Sequence, residues 1–307
     1  MEEDNVQICV TLRHFRSDSV YLSFGDFWIQ QLTADDRRQL SRDLKYFSNC
    51  PYDNYMAARW YYIGRGKSSS VLRDNIRAFF LPLFRSMKLF RTGDLLMPLG
   101  FYFWRGKWHE MRLHGENYGS GYGLRGNPYV CDTNDIADLN RFRQDMRTDL
   151  KYIEFSDVPY REYEALKGID LRCMFAIHML LKESVENNNP FVIFDKVIDY
   201  TMGLESLYLL REEDGKAQKL CSRASTLLSK DNSERARLCK IIRRFYGIRS
   251  GVVHGSLVRN NDMAFVSENI YNYEEILRQS IVAFFGLNRK QATKKAVLYL
   301  IDKSKRR

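Results

Sequence analysis

Between residues 234 and 254, Leu238, Ile241, Ile242, Phe245 and Ile248 recur at steps of three or four positions. That period places them along one side of an α-helix and excludes a strand. Asp231, Asn232 and Ser233 offer N-caps, and Gly255 suits the left-handed residue just past a helix end. The same pattern extends through the second half of the chain. Helices are expected over 166–185, over 191–210 behind Pro190, over Lys216–Leu228 after the break at Gly215, and over 272–285. From about Tyr160 onward strand signals thin out, so this half reads as an all-α bundle.

The first half mixes periods. Residues 6–12 and 19–24 alternate apolar and polar side chains and read as strands, with a hairpin between them as one option. Residues 58–63 and the aromatic-rich 99–111 read the same way. Thr33, with Asp35 and Asp36 behind it, caps a helix expected to run to Phe47. Ser68, Ser69 and Ser70 precede an apolar helical stretch over 71–90 that Pro82 interrupts. A glycine-rich segment, His114 to Gly126, precedes a helix over 134–150. The fold expected is an α+β domain over 1–155, a helical domain over 160–287 and a basic tail over 288–307, with the boundary near 151–162.

Hydrophobic residues make up 45% of the chain, enough for two buried cores. The net charge of +10 favours an anionic partner, with nucleic acid first. Cys9, Cys50, Cys131, Cys173, Cys221 and Cys239 form no C-x2-C pair and read as free thiols. The acidic start, Met1 to Asp4, leads into no apolar signal core, and no run reaches the ~20 residues that span a bilayer. A cytoplasmic protein without membrane association is expected.

The informative histidine is His254, in Arg249-Ser250-Gly251-Val252-Val253-His254-Gly255. An R-x4-H motif closing a helical domain resembles the HEPN superfamily, and the chain is most similar to its ApeA-like group. That group also carries an acidic residue in an apolar helix, here Leu204-Glu205-Ser206-Leu207, followed by a basic helix, here Lys216–Leu228. The likeness covers about 165–287 and implies a HEPN-like bundle with metal-independent endoribonuclease activity and no cofactor. RNA supplies its own nucleophile, the 2′-hydroxyl. The enzyme needs a proton carrier, here His254, and a fixed cation for the phosphorane, here Arg249. An unpaired Glu205 carboxylate in an apolar helix would be costly, so either a partner such as Arg249 relieves it or Glu205 is exposed on a helix face. Ser250, Arg244 and Lys240 are the expected substrate contacts, with Ser250 standing where many such nucleases carry Asn, Asp or His. The products would be a 2′,3′-cyclic phosphate and a 5′-hydroxyl.

Five residues of helix turn about 500°, which leaves Arg249 and His254 about 140° apart. Either the helix unwinds near Gly251 or two copies meet. The resemblance implies the latter, a homodimer with both motifs in one cleft, working in prokaryotic anti-phage defence. It leaves room for a phage or small-molecule trigger at the N-terminal domain. The alternative is a catalytically inactive HEPN protein that binds RNA or serves as a dimeric scaffold. Ser256, two residues past the histidine, replaces the tyrosine that a partner nucleotidyltransferase modifies in some HEPN toxins.

Other features carry less. Arg172 and His178, with five residues between them, also fit the looser R-x(4–6)-H pattern, but in the apolar setting of a core helix. Gly121 to Gly126 matches G-x-G-x-x-G without the strand–helix context that a phosphate loop needs. Tyr102, Trp104 and Trp108, interleaved with Arg105 and Lys107, fit base stacking and strand core equally. His109 and His114 lack a third metal ligand nearby.

Overall fold

Strand β1 (Glu3–Leu12) organises the N-terminal unit. Val10 and Leu12 are buried, and so are their neighbours Cys9 and Thr11, so both faces of this strand are covered. The computed structural model describes residues 3–12, 15–25, 27–44, 56–65, 83–93, 95, 100–104, 106–111, 128–150, 169–181, 192–210, 214–256, 259–288 and 294–304. It divides into two units, Met1–Glu154 and Phe155–Arg307.

After β1 come β2 (Phe15–Arg16), β3 (Tyr21–Ser23), β4 (Trp28–Gln31), helix α1 (Ala34–Asp43) and β5 (Met56–Arg65). Helix α2 covers 83–90. Then follow β6 (Gly100–Trp104), β7 (Lys107–Met111), β8 (Tyr129–Val130), a 3-10 turn at Thr133–Asp135 and α3 (Ile136–Leu150). Six strands form an antiparallel sheet in the order β3-β4-β5-β1-β6-β7, while β2 and β8 pair in parallel. The unit is therefore α+β.

The hairpin considered for 6–12 and 19–24 does not form. All ten residues of β1 pair with β5, from Glu3↔Arg65 to Leu12↔Met56, while three-residue β3 pairs with β4. A ten-residue ladder satisfies far more backbone than a three-residue partner could. The base-stacking reading of the aromatics also fails for two of the three. Trp108 and Tyr102 are buried, and Trp108 packs with Cys9, Leu40 and Phe101. The glycine-rich segment, the stretch around Pro82 and the domain boundary lie outside the described residues.

Helix α1 starts as expected. The Thr33 hydroxyl accepts the Asp36 N–H at 3.1 Å, and Asp36 accepts the Thr33 N–H at 2.8 Å. The same carboxylate holds Arg59 of β5 in a two-pronged pair, Nη1–Oδ1 at 3.1 Å and Nη2–Oδ2 at 2.7 Å. Arg59 is only 5% exposed, so this pair ties the helix start to the sheet centre. Burial disfavours the Asp36 charge. The hydrogen bonds from Arg59 and Thr33 outweigh it and hold the carboxyl below the ordinary carboxylate range.

The second unit is all-α: α4 (Ile169–Leu181), α5 (Val192–Tyr208), α6 (Lys216–Leu228), α7 (Asn232–Val253), α8 (Asn260–Asn288) and α9 (Lys294–Ser304). Helix α5 is central and packs on α4, α6, α7 and α8. Its approach to α8 is close at Gly203, where a Cβ would meet the Leu277 side chain at 3.0 Å. Buried hydroxyls fix the register of the two helices: Tyr208 donates to Ser280 at 2.9 Å, and Thr201 and Tyr273 share a bond of 3.0 Å. The tail is docked rather than loose over α9. Val297, Leu298 and Ile301 are buried, and Arg223 of α6 binds Asp302 at 2.9 Å. Among the described residues no helix is long and apolar enough to cross a membrane.

The lowered Asp36 pKa sets the sign of a pH effect. Ionised Asp36 contributes stability above its unfolded pKa, and that contribution is lost as pH falls through the lower folded value. The four tryptophans, Trp28, Trp60, Trp104 and Trp108, all lie in the first unit, so their fluorescence reports its unfolding alone. Asp36→Asn should destabilise this unit by about 1–3 kcal/mol at pH 7, the cost of losing hydrogen bonds to a buried charged group. In thermal melts, the gap to wild type should close as pH falls below about 4.

Candidate functional site

Helix α7 carries the candidate site, and both of its ends are fixed by local chemistry. Asp231 accepts the Glu234 N–H at 2.8 Å. At the other end the Ser256 N–H donates to the Gly251 carbonyl at 2.9 Å, and the Gly255 N–H donates to that of Val252 at 3.1 Å. Gly255 has φ +71°, a left-handed value that completes a Schellman stop. His254 is the C-cap, with its N–H on the Ser250 carbonyl at 3.1 Å. The helix therefore does not unwind near Gly251. Glycine there is tolerated because the hydrogen-bond ladder continues through it.

Phe245 anchors the helix. It is fully buried and stacks on Tyr273 of α8, with centroids 4.1 Å apart and planes 4° from parallel. One turn later Arg249 reaches α5, where its Nη2 lies 3.6 Å from Glu205 Oε2. Both side chains are about one-fifth exposed (23% and 22%), and the Arg249 Nε is buried with no partner among the described residues. Tyr246, one turn before Arg249, also lies near Glu205. Burial first, and then the Glu205 charge, raise its pKa. Glu205 thus lies beside two α7 side chains, and the arginine partner expected for it is present.

His254 is exposed and belongs to another side of the helix. Seven residues separate it from Gly247, about two helical turns, so the two lie on one stripe. That stripe borders a groove of about 990 Å³ between α7 and the start of α8. Lys240, Arg243, Arg244 and Arg259 line it against a single acid, Asp262, with Gly247 and Gly251 in its floor. Arg244 pairs with Asp262 and lies over the Phe265 ring at 5.9 Å from its centroid.

Of the residues singled out in the sequence, Glu205 and Arg249 are brought together, and Lys240 and Arg244 share the groove. Arg249 and Ser250 are not among its lining residues. Arg172 and His178 are exposed on α4, whose buried side carries Cys173, Ala176, Ile177 and Leu180. The sequence reading missed Arg243 and Arg259. Arg243 follows Lys240 by three residues and so shares its face, a signal that was present. Arg259 lies on no element the sequence reading had placed in the site.

One expectation about cysteine is overturned. The α6–α7 hairpin brings Cys221 and Cys239 together, with Cα atoms 4.5 Å apart, as a disulfide. Cys9, Cys131 and Cys173 are free and buried. Comparison with protein-family models, with curated proteins and with solved structures finds no match for this chain.

Arg249 and Glu205 should be energetically coupled. A double-mutant cycle of Glu205→Gln and Arg249→Met, read by urea unfolding of the helical signal, should return a coupling of about 0.5–2 kcal/mol. A value within about 0.3 kcal/mol of zero would show that the two groups act independently.

Proposed function

We propose that the chain is a metal-independent endoribonuclease of the HEPN type, acting as a homodimer in prokaryotic anti-phage defence. The observation that carries this reading is the Glu205–Arg249 pair, which sets a cation on α7 five residues before a helix-capping, exposed His254. In this reading His254 moves the proton between the 2′-hydroxyl and the leaving 5′-oxygen. Arg249 stabilises the charge on the phosphorane, and Glu205 positions Arg249. A contact through one terminal nitrogen leaves the other terminal nitrogen of the guanidinium for phosphate. Lys240, Arg244 and Ser250 contact the substrate, joined by Arg243 and Arg259 in the basic groove. Because α7 is unbroken, Arg249 and His254 of one chain diverge, so a second copy of α7 completes the pair. The first unit acts as a sensing or substrate-selecting module in the cytoplasm.

The same divergence favours a second reading, a non-catalytic RNA-binding dimer. Wild-type, Arg249→Ala and His254→Ala proteins would be incubated with single-stranded RNA and EDTA, and the ends analysed. Wild type should leave 2′,3′-cyclic phosphates. His254→Ala should lose at least about 100-fold in rate while still binding RNA. RNA bound equally by all three proteins and cut by none would instead establish the scaffold reading.

A further inference from the structure

The sulfur pair at the wall of the groove has no part in the cleavage chemistry. Cys239 of α7 lines the groove and is partly exposed, whereas Cys221 of α6 is buried behind it. Arg243, four residues after Cys239, places its Nη2 at 3.8 Å from the Cys221 sulfur and 3.9 Å from that of Cys239. It also donates to Gln218 of α6. With the bond opened, a partly exposed Cys239 sulfur, the Cys221 sulfur within bonding distance and a guanidinium beside both would make a reactive dithiol, because a neighbouring cation favours the thiolate. The two Cα atoms are already within the span that a disulfide bridges.

We propose that Cys221 and Cys239 form a reversible thiol–disulfide switch that sets the polyanion affinity of the α7–α8 groove. The proposal rests on reading that groove as an RNA-binding surface. In the reduced protein, Arg243 faces a thiolate and its charge is spent on sulfur. Oxidation replaces the thiolate with a neutral disulfide and returns that charge to the groove. The co-reactant is a hydroperoxide. The Cys239 thiolate attacks the peroxide oxygen, which breaks the O–O bond to give a sulfenic acid and releases the other oxygen as water or alcohol. The Cys221 thiolate then attacks the Cys239 sulfur and expels water. Two thiols lose two protons and two electrons, and the peroxide is reduced. A thiol reductant reverses the bond.

The test uses the full chain carrying His254→Ala, so that bound RNA is not cut. Protein treated with hydrogen peroxide or with dithiothreitol is alkylated and mapped by mass spectrometry, and a labelled single-stranded RNA is titrated at fixed salt. Peroxide should join Cys221 to Cys239 and tighten binding by roughly 3- to 10-fold, the scale of one phosphate contact. Adding Cys239→Ser, or Arg243→Gln, should abolish the redox dependence. Circular dichroism checks that each variant folds, and Cys239→Ala replaces the serine if needed. Separate alkylation of both thiols after peroxide would overturn the switch. So would a disulfide that forms while affinity stays the same, and this outcome leaves the RNA reading intact if Arg244→Ala still weakens binding. No RNA binding in either redox state, with the disulfide formed, would overturn the RNA reading itself and with it the output assigned to the switch.

Discussion

Helix α7 keeps its backbone hydrogen bonds through Val253 and stops only where Gly255 takes a left-handed turn. That continuity dictates where every candidate group can point. With Phe245 locked against Tyr273, the helix cannot rotate, and Arg249 is committed to the side that meets α5. His254, five residues on at the C-cap, is then committed to another side of the helix. A partly buried arginine is tolerable only with a counter-charge, so Glu205 on the apolar helix α5 and Arg249 on α7 each account for the other. The same geometry implies that a single chain offers the parts of the proposed nuclease without assembling them. It is the physical reason for invoking a second copy.

Polar contacts inside the helical unit act on register as much as on stability. Apolar ridges alone would let α5 and α8 slide, since one leucine-sized contact resembles the next. The Thr201–Tyr273 and Tyr208–Ser280 hydrogen bonds do not permit it, because a slip would strand buried hydroxyls at a cost of about 1–3 kcal/mol each. This fixes Glu205 one turn beyond Thr201 and hence opposite Arg249. In the first unit the Arg59–Asp36 pair does the equivalent job, tying the start of α1 to the centre of the sheet.

What could be read from the sequence was what local chemistry determines. The start of α1 at Thr33, the stop of α7 at Gly255 and the apolar face of α7 are set by residues within one or two turns of each other. So was the need of Glu205 for a cation, with Arg249 as the candidate, and the two side chains do lie together. What could not be read depends on distant pairing. Strand β1 takes β5 and β6 as neighbours rather than β3, which no turn residue announces. The start of α8 was placed at 272 but lies at Asn260, because polar residues such as Asn260, Asn261, Ser267, Glu268 and Asn269 dilute the apolar period of its first turns. Cys221 and Cys239 stand 18 residues apart on two helices, and only the fold of the hairpin makes them a pair.

The net charge of +10 is likewise unevenly used. Arg59, Arg91, Arg223, Arg237 and Arg278 each have a carboxylate partner and so serve structure. Asp302, the one acid of the basic tail, binds Arg223 and helps dock α9 on the bundle. Within the groove, Arg244 is matched by Asp262, while Lys240, Arg243 and Arg259 have no carboxylate partner among the described residues. Positive charge left unmatched in a concave wall acts on a polyanion more strongly than the same charge spread over a convex surface, because low-dielectric walls concentrate the field. The groove is therefore where the basic excess of this chain acts most strongly on a polyanion. Arg243, beside two sulfurs whose charge depends on their oxidation, is the one groove cation whose contribution the chain could adjust.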